Sequence, residues 1–89
     1  MKVEFDSSFE KQILKLTDSS IKKRIVDIIY QVEKSIKLSD IHHIKKMKGF
    51  KNFYRIKSGD YRLGFELINN DTIYFIGFAH RKDIYKKFP

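Results

Sequence analysis

The amino-acid sequence predicts an α+β fold in which an antiparallel helical hairpin packs on one face of an antiparallel sheet. Apolar residues recur at helical spacing from Phe9 to Ile36, period-two alternation takes over after Asn52, and the two patterns do not interleave. The chain has 89 residues, enough for one hydrophobic core, so residues 1–89 are read as a single domain.

Lys2 to Phe5 alternates polar and apolar side chains and reads as a short strand. Ser7 followed by Glu10 matches a capping box and starts a first helix with Phe9, Ile13 and Leu16 on one face. Thr17 or Asp18 offers the next cap. Ile21, Ile25, Ile28, Val32 and Ile36 then mark a second helix of about 19 residues with a charged opposite side. The short join between the helices favours antiparallel packing. Residues 38–51 hold Ser39-Asp40, the pair His42-His43, a lysine cluster and Gly49, a connection long enough to contain a short element or a function of its own. From there the pattern is extended. Tyr54 and Ile56 alternate with Arg55 and Lys57, Ser58-Gly59 turns, and Tyr61, Leu63, Phe65 and Leu67 alternate with Arg62, Gly64 and Glu66. Asn69-Asn70-Asp71 turns again into the apolar run Ile73–Ala79, which reads as a strand covered on both faces. Ile84, Tyr85 and Phe88 are spaced for a last helical turn, which completes the order β-α-α-β-β-β plus a short C-terminal turn.

Composition limits what such a domain does. With 42 % apolar residues, eight Phe and five Tyr, intrinsic disorder is excluded as a reading. There is no cysteine, hence no disulfide framework or thiol nucleophile. The N-terminus lacks the apolar stretch of a signal peptide and no run approaches a membrane span, so a cytoplasmic protein without a membrane partner is expected. The net charge is +8 and lies almost wholly in the second half: residues 1–40 carry eight basic and seven acidic side chains, residues 41–89 eleven and four. A field of this kind attracts polyanions, nucleic acid foremost, although a solvated basic face serving solubility has the same composition.

Strand phase turns this charge into a candidate site. If Tyr54 and Ile56 face the helices, Arg55 and Lys57 point away from them, and Arg62 joins them from the next strand. Such a surface meets what a phosphate of RNA or DNA needs. The sharpest constellation combines Lys57, Arg62 and Arg81 with Tyr85 and His80. Cleaving RNA through its own 2′-OH takes a base for the hydroxyl proton, cations for the charge on the phosphoryl oxygens and an acid for the 5′ oxygen. Arg55 and Arg62 suit bidentate phosphate contacts, Lys57 and Tyr85 suit proton exchange among neighbouring cations, and His80 is the natural acid. The same residues admit plain structural roles: Tyr85 as an aromatic docking the tail, His80 as a hydrogen-bonded strand end, Arg81 as a partner of Asp83 or Glu66. Lys45, Lys46, Lys48 and Lys51 extend the basic stretch as RNA-binding residues, and Phe53 beside it is placed to stack on a base. Adjacent His42 and His43 point apart and have no further ligands at metal spacing, so neither a metal nor a cofactor is expected.

Three stretches carry a resemblance. Lys45-Lys46-Met47-Lys48-Gly49, then Phe53-Tyr54-Arg55-Ile56-Lys57-Ser58-Gly59-Asp60-Tyr61-Arg62-Leu63, then Ile76-Gly77-Phe78-Ala79-His80-Arg81-Lys82-Asp83-Ile84-Tyr85 resemble, in this order, the signature of RelE/ParE superfamily toxins of type II toxin–antitoxin systems, the RelE-like branch in particular. The resemblance implies a RelE-like fold and a metal-independent endoribonuclease, an mRNA interferase that cleaves mRNA on the ribosome and is silenced by a cognate antitoxin. The family's basic strand residues, C-terminal arginine and late tyrosine match Arg55, Lys57, Arg62, Arg81 and Tyr85. Arg55 stands where the family commonly has a lysine, which keeps the charge and gives up a titratable amine. The rival readings are a ParE-like inhibitor of DNA gyrase on the same scaffold, and a nucleic-acid-binding module without chemistry.

Overall fold

Acidic caps begin both main helices of the computed structural model, which describes all residues from Met1 to Pro89. Strand β1 (Lys2–Phe5) leads into helix α1 (Ser7–Leu14), and helix α2 (Ser19–Lys34) follows after a short join. A single 3-10 turn (Leu38–Asp40) precedes β2 (Ile44–Lys46), β3 (Phe53–Ser58), β4 (Tyr61–Ile68), β5 (Thr72–His80) and a C-terminal turn of helix, α3 (Ile84–Lys87).

The expected α+β architecture is present, with local differences that have physical causes. Asp6, rather than Ser7, caps α1: its backbone is extended and its carboxylate accepts from the Ser8 amide at 3.1 Å, so Ser7 is already helical. Asp18 caps α2 by accepting from the amides of Ser20 and Ile21. That helix ends two residues before Ile36. Ser35 turns extended, its hydroxyl donates to Gln31 O, and the amides of Ile36 and Lys37 donate to the Asp40 carboxylate instead. Ile36 is consequently 89 % exposed, outside the apolar stripe.

The sheet order is β1-β5-β4-β3-β2. The three expected strands β3, β4 and β5 form an antiparallel meander, β2 extends it antiparallel to β3, and β1 adds to the edge of β5 in parallel, from Lys2 opposite Thr72 to Phe5 opposite Phe75. The element hidden in the long connection is β2, three residues opposite Tyr54 to Ile56. A bulge between Gly64 and Phe65 explains the unbroken apolar run of β5: Gly64 pairs with Gly77 and Phe65 with Phe75, so Ile76 is the extra residue and both Phe75 and Phe78 face the helices.

Two clusters of buried side chains result. The larger lies between helices and sheet and joins Phe9, Ile25 and Val32 to Ile56, Leu63, Phe65, Ile73, Phe75 and Phe78. The smaller lies on the opposite face, where Ile84 and Phe88 of the C-terminal segment close over Ala79 and Met47. Phe88 is 1 % exposed and rests on the Gly64–Gly77 pair. A Cβ on Gly64 would stand 2.5 Å from the ring, so the missing side chain is what makes the seat. No helix is long and apolar enough to cross a membrane.

Candidate nucleic-acid interface and active site

Cross-strand register sets the phase of the cations. Ile56 opposes Leu63 and Tyr54 opposes Phe65, all packed toward the helices, so Arg55, Lys57 and Arg62 emerge on the other face. Lys57 and Arg62 are direct partners across β3 and β4, and Lys45 of β2 opposes Arg55. The α3 turn completes the group. Ile84 and Phe88, four residues apart, bury their side chains against the sheet, which leaves Tyr85 outward and 64 % exposed. Its hydroxyl accepts a long 3.4 Å hydrogen bond from Arg55 Nε.

Arg62 is the best-fixed member. Its Nη1 donates to Gly59 O at 2.8 Å and Tyr61 O at 2.9 Å, which holds the guanidinium over the β3–β4 turn. Its pKa is pushed below the ordinary arginine value, first by desolvation, then by the charges of Arg55 and Arg81, with Tyr85 and Asp60 acting the other way. An arginine remains charged throughout the physiological range; the shift records the crowding of cations whose repulsion a bound phosphate would relieve. Arg81 lies on the same turn. Its amide donates to Asp60 O at 2.7 Å and its Nε stands 3.9 Å from Asp60 Oδ1, so its acidic neighbour is Asp60, not Asp83 or Glu66. Both side chains are more than half exposed and the pair is screened, which leaves Arg81 available to another anion.

Arg55, Lys57, Arg62 and Tyr85 thus share one face, with Arg81 at its end and Lys45 beside Arg55. His80 does not join them. It opposes Tyr61, so its ring stands edge-on to Tyr61 at 5.7 Å on the helix side, and its Nδ1 accepts from the Lys82 amide. The alternation that turns Ala79 toward the open face turns His80 away from it. Phe53 is half-buried between Phe50 and Phe88, at ring separations of 6.2 and 5.7 Å, and so forms part of the smaller core cluster. Lys46 opposes Tyr54 on the helix-side phase but is exposed at the sheet edge, and Lys48 and Lys51 are exposed in the loop after β2. His42 and His43, with rings 6.4 Å apart and tilted, line a cleft of about 380 Å³ with Arg24, Asp27 and Gln31; it reaches Lys57 from the helix side and includes none of Arg55, Arg62 and Arg81.

Sequence reading missed three contributors. Asp60 aligns Arg81 through both backbone and side chain, and the Gly64–Gly77 pair seats Phe88 and with it the turn bearing Tyr85. The available signal was a glycine inside each of two adjacent strand patterns. Phe50, 47 % exposed amid lysines, was the third.

Comparison with known proteins identifies the family of this chain. Residues 3–85 match the family described as ParE toxin of type II toxin-antitoxin system, parDE. The whole chain is 48 % identical to Toxin RelE3 of Methanocaldococcus jannaschii over 90 residues, covering all of both proteins. The structure is similar to the crystal structure of the RelB–RelE antitoxin–toxin complex from Methanococcus jannaschii, with a TM-score of 0.77 and 40 % identity over 97 % of this chain and 99 % of that one. The fold is also that of a mutant Escherichia coli toxin RelE in the free state, at a TM-score of 0.71 and 21 % identity over 97 % of this chain and 90 % of that one. The family match spans most of the chain and the curated relative all of it, and the chain belongs to the RelE/ParE superfamily of toxins of type II toxin–antitoxin systems.

Proposed function

We propose that this chain is the toxin of a RelBE-type pair and a ribosome-dependent endoribonuclease that cleaves messenger RNA. The observation that carries the reading is the convergence of Arg55, Lys57, Arg62 and Tyr85 on the sheet face opposite the helices, with the Tyr85 hydroxyl bonded to Arg55 at 3.4 Å.

In the proposed reaction the 2′-oxygen of the substrate attacks the adjacent phosphorus. The new O–P bond forms as the bond to the 5′ oxygen breaks, leaving a 2′,3′-cyclic phosphate and a 5′-hydroxyl. Arg62, pre-oriented by its two carbonyl acceptors, and Arg55 and Arg81 beside it meet the negative charge that grows on the phosphoryl oxygens. Lys57 and Tyr85 are the groups on this face that exchange protons: one removes the 2′-OH proton and the other supplies a proton to the departing 5′ oxygen. The chemistry as written uses side chains alone. His80, on the far side of the sheet, has no part in it. The RelE proteins of Methanococcus jannaschii and Pyrococcus horikoshii are seen in complex with RelB, and an antitoxin partner for this chain follows by analogy.

The match to the ParE family supports a second reading, inhibition of DNA gyrase without cleavage. Two assays on the purified protein separate them. The nuclease reading predicts cut message on translating ribosomes and normal supercoiling by gyrase; intact message with arrested supercoiling would overturn it.

A further inference from the structure

The loop Met47–Asn52, which joins β2 to β3, has an unusual composition in an unusually fixed shape. Between Asp40 and Asp60 the chain has no acidic residue and six Lys or Arg. Lys46, Lys48 and Lys51 are exposed around a shallow basin of about 550 Å³ whose lining includes Phe50. Buried Met47 anchors the loop at one end, where its amide donates to Phe53 O at 2.8 Å and its own carbonyl accepts from the Phe50 amide at 3.3 Å. At the other end Asn52 O accepts from the Leu67 amide at 2.8 Å. Gly49 (φ 83) and Asn52 (φ 66) take the left-handed turns the path requires, and both residue types tolerate them.

Phe50 is the exception to the apolar-inside pattern of this face. One side of its ring meets Phe53 at 6.2 Å, Phe53 meets Phe88 at 5.7 Å, and Phe88 sits on the glycine pair beneath the turn that carries Tyr85. The row of rings therefore ends in an exposed aromatic, on the same sheet face as Arg55 and Lys45 and flanked by lysines. An aromatic surface with cations around it complements what a single-stranded nucleic acid presents, a base face and its phosphates; the loop itself has no acidic side chain, and Glu66 stands opposite Phe53 on β4.

We propose that this loop is a second RNA contact, in which a base of the single-stranded RNA flanking the cleaved phosphate stacks on Phe50 while Lys46, Lys48 and Lys51 hold the neighbouring phosphates. The inference rests on RNA occupying the adjacent cationic face, and it moves the stacking role from Phe53, whose ring is taken up by Phe50 and Phe88, to Phe50. Affinity for RNA is in this way partly separate from its cleavage.

The chain has no tryptophan, so Phe50→Trp provides a single indole reporter at the stacking position. The probe is a labelled single-stranded RNA oligonucleotide with every 2′-hydroxyl methylated, which binds without being cut. We expect indole emission to be quenched over the same concentration range in which the RNA anisotropy rises. Phe50→Leu, which retains apolar packing on Phe53 and loses the π-face, is expected to weaken binding about 5- to 150-fold at unchanged melting temperature, the range for one stacked base. Replacing the three lysines with glutamine should flatten the plot of log affinity against log salt by about two, since each phosphate contact on a single strand contributes about 0.7. RNA binding that leaves the indole unquenched, together with parental affinity in Phe50→Leu, would overturn the proposal. Equal quenching by a polyglutamate peptide would also overturn it, in favour of an acidic protein partner. Quenching that persists in the Phe50→Trp/Arg62→Ala double variant, from a parent that cuts no message, would support the loop and remove the nuclease reading alone.

Discussion

Leu63 and Arg62 are neighbours on β4, yet they belong to different regions of the molecule. Leu63 points to the helices and is fully buried, in a cluster where residues from five strands and helices close on one another. Arg62 points to the face that only the short C-terminal segment covers, where apolar packing stops at Phe53, Ala79 and Phe88 and a cationic surface begins. That second face is itself divided. Toward β1 stand Glu4 and Tyr74, with Glu66 beside Tyr74 on the central strand β4, and the Tyr74 hydroxyl donates to Asp6 Oδ1 at 2.9 Å, which raises the phenol pKa chiefly through that bond. Toward β2 stand Lys45, Arg55 and Lys57, with Arg62 at the other end of β4 from Glu66. Stability is thus concentrated between helices and sheet, and the charge that recognises a polyanion is concentrated on one half of the opposite surface.

Substitutions at adjacent positions test this division. The largest expected effect on folding is from Leu63→Ala, which removes a fully buried side chain and should cost about 2–5 kcal/mol in denaturant titration. A loss below about 1 kcal/mol would show that the helix face is less tightly packed than its burial indicates. Arg62→Ala should do the reverse, lowering message cleavage by at least about tenfold, and by more if it meets the transition state as directly as its geometry suits, with little change in melting temperature. Next comes the glycine seat. Gly64→Ala places a methyl where the Phe88 ring now lies, 2.5 Å away, and should cost about 1–3 kcal/mol. It should also depress cleavage by lifting the turn that carries Tyr85. Gly77→Ala, whose nearest contact would be the Phe88 Cβ at 3.2 Å, should have the same effects to a smaller degree. The reverse ranking would mean that Phe88 is not seated as described.

The smallest effect concerns acid. Hydrogen bonds hold the carboxyls of Asp6, Asp18 and Asp40 below the ordinary value of 3.8: bonds from Ser8 and Tyr74 for Asp6, from Ser20 and the Ile21 amide for Asp18, and from the Ile36 and Lys37 amides for Asp40. A carboxyl with a lower pKa in the folded than in the unfolded chain stabilises the fold fully above the unfolded value, and this contribution is lost as pH falls through the folded value. Melting temperature should therefore be level above about pH 5 and fall below 3.8. Asp18→Ala should melt a few degrees lower at neutral pH and lose less on acidification. Equal acid sensitivity in parent and variant would remove the Asp18 cap from the account.

Much of this was legible because period-two alternation is a strong signal. The residue types at 54, 56, 63 and 65 were enough to send Arg55, Lys57 and Arg62 to the open face, and the structure agrees. Strand β2 was not legible, since three residues in a lysine-rich segment show no periodicity and form a strand only because β3 offers an edge. Nor was the parallel seat of β1 on β5, a pairing across nearly the whole chain. His80 was placed on the wrong side because it was located by nearness to Arg81 rather than by strand phase, which the register with Tyr61 decides. The bulge at Ile76 and the glycine seat for Phe88 share one cause: each depends on residues that become neighbours only after β4 and β5 have paired.

The most direct measurement is the single-turnover rate at which purified protein cuts message in programmed ribosomes, with the termini of the products identified. The account predicts 2′,3′-cyclic phosphate and 5′-hydroxyl ends from the parent, and a rate at least about tenfold lower from an Arg62→Ala variant that melts with the parent. An Arg62→Ala variant that cuts at the parental rate, or a parent that leaves the message intact, would contradict it.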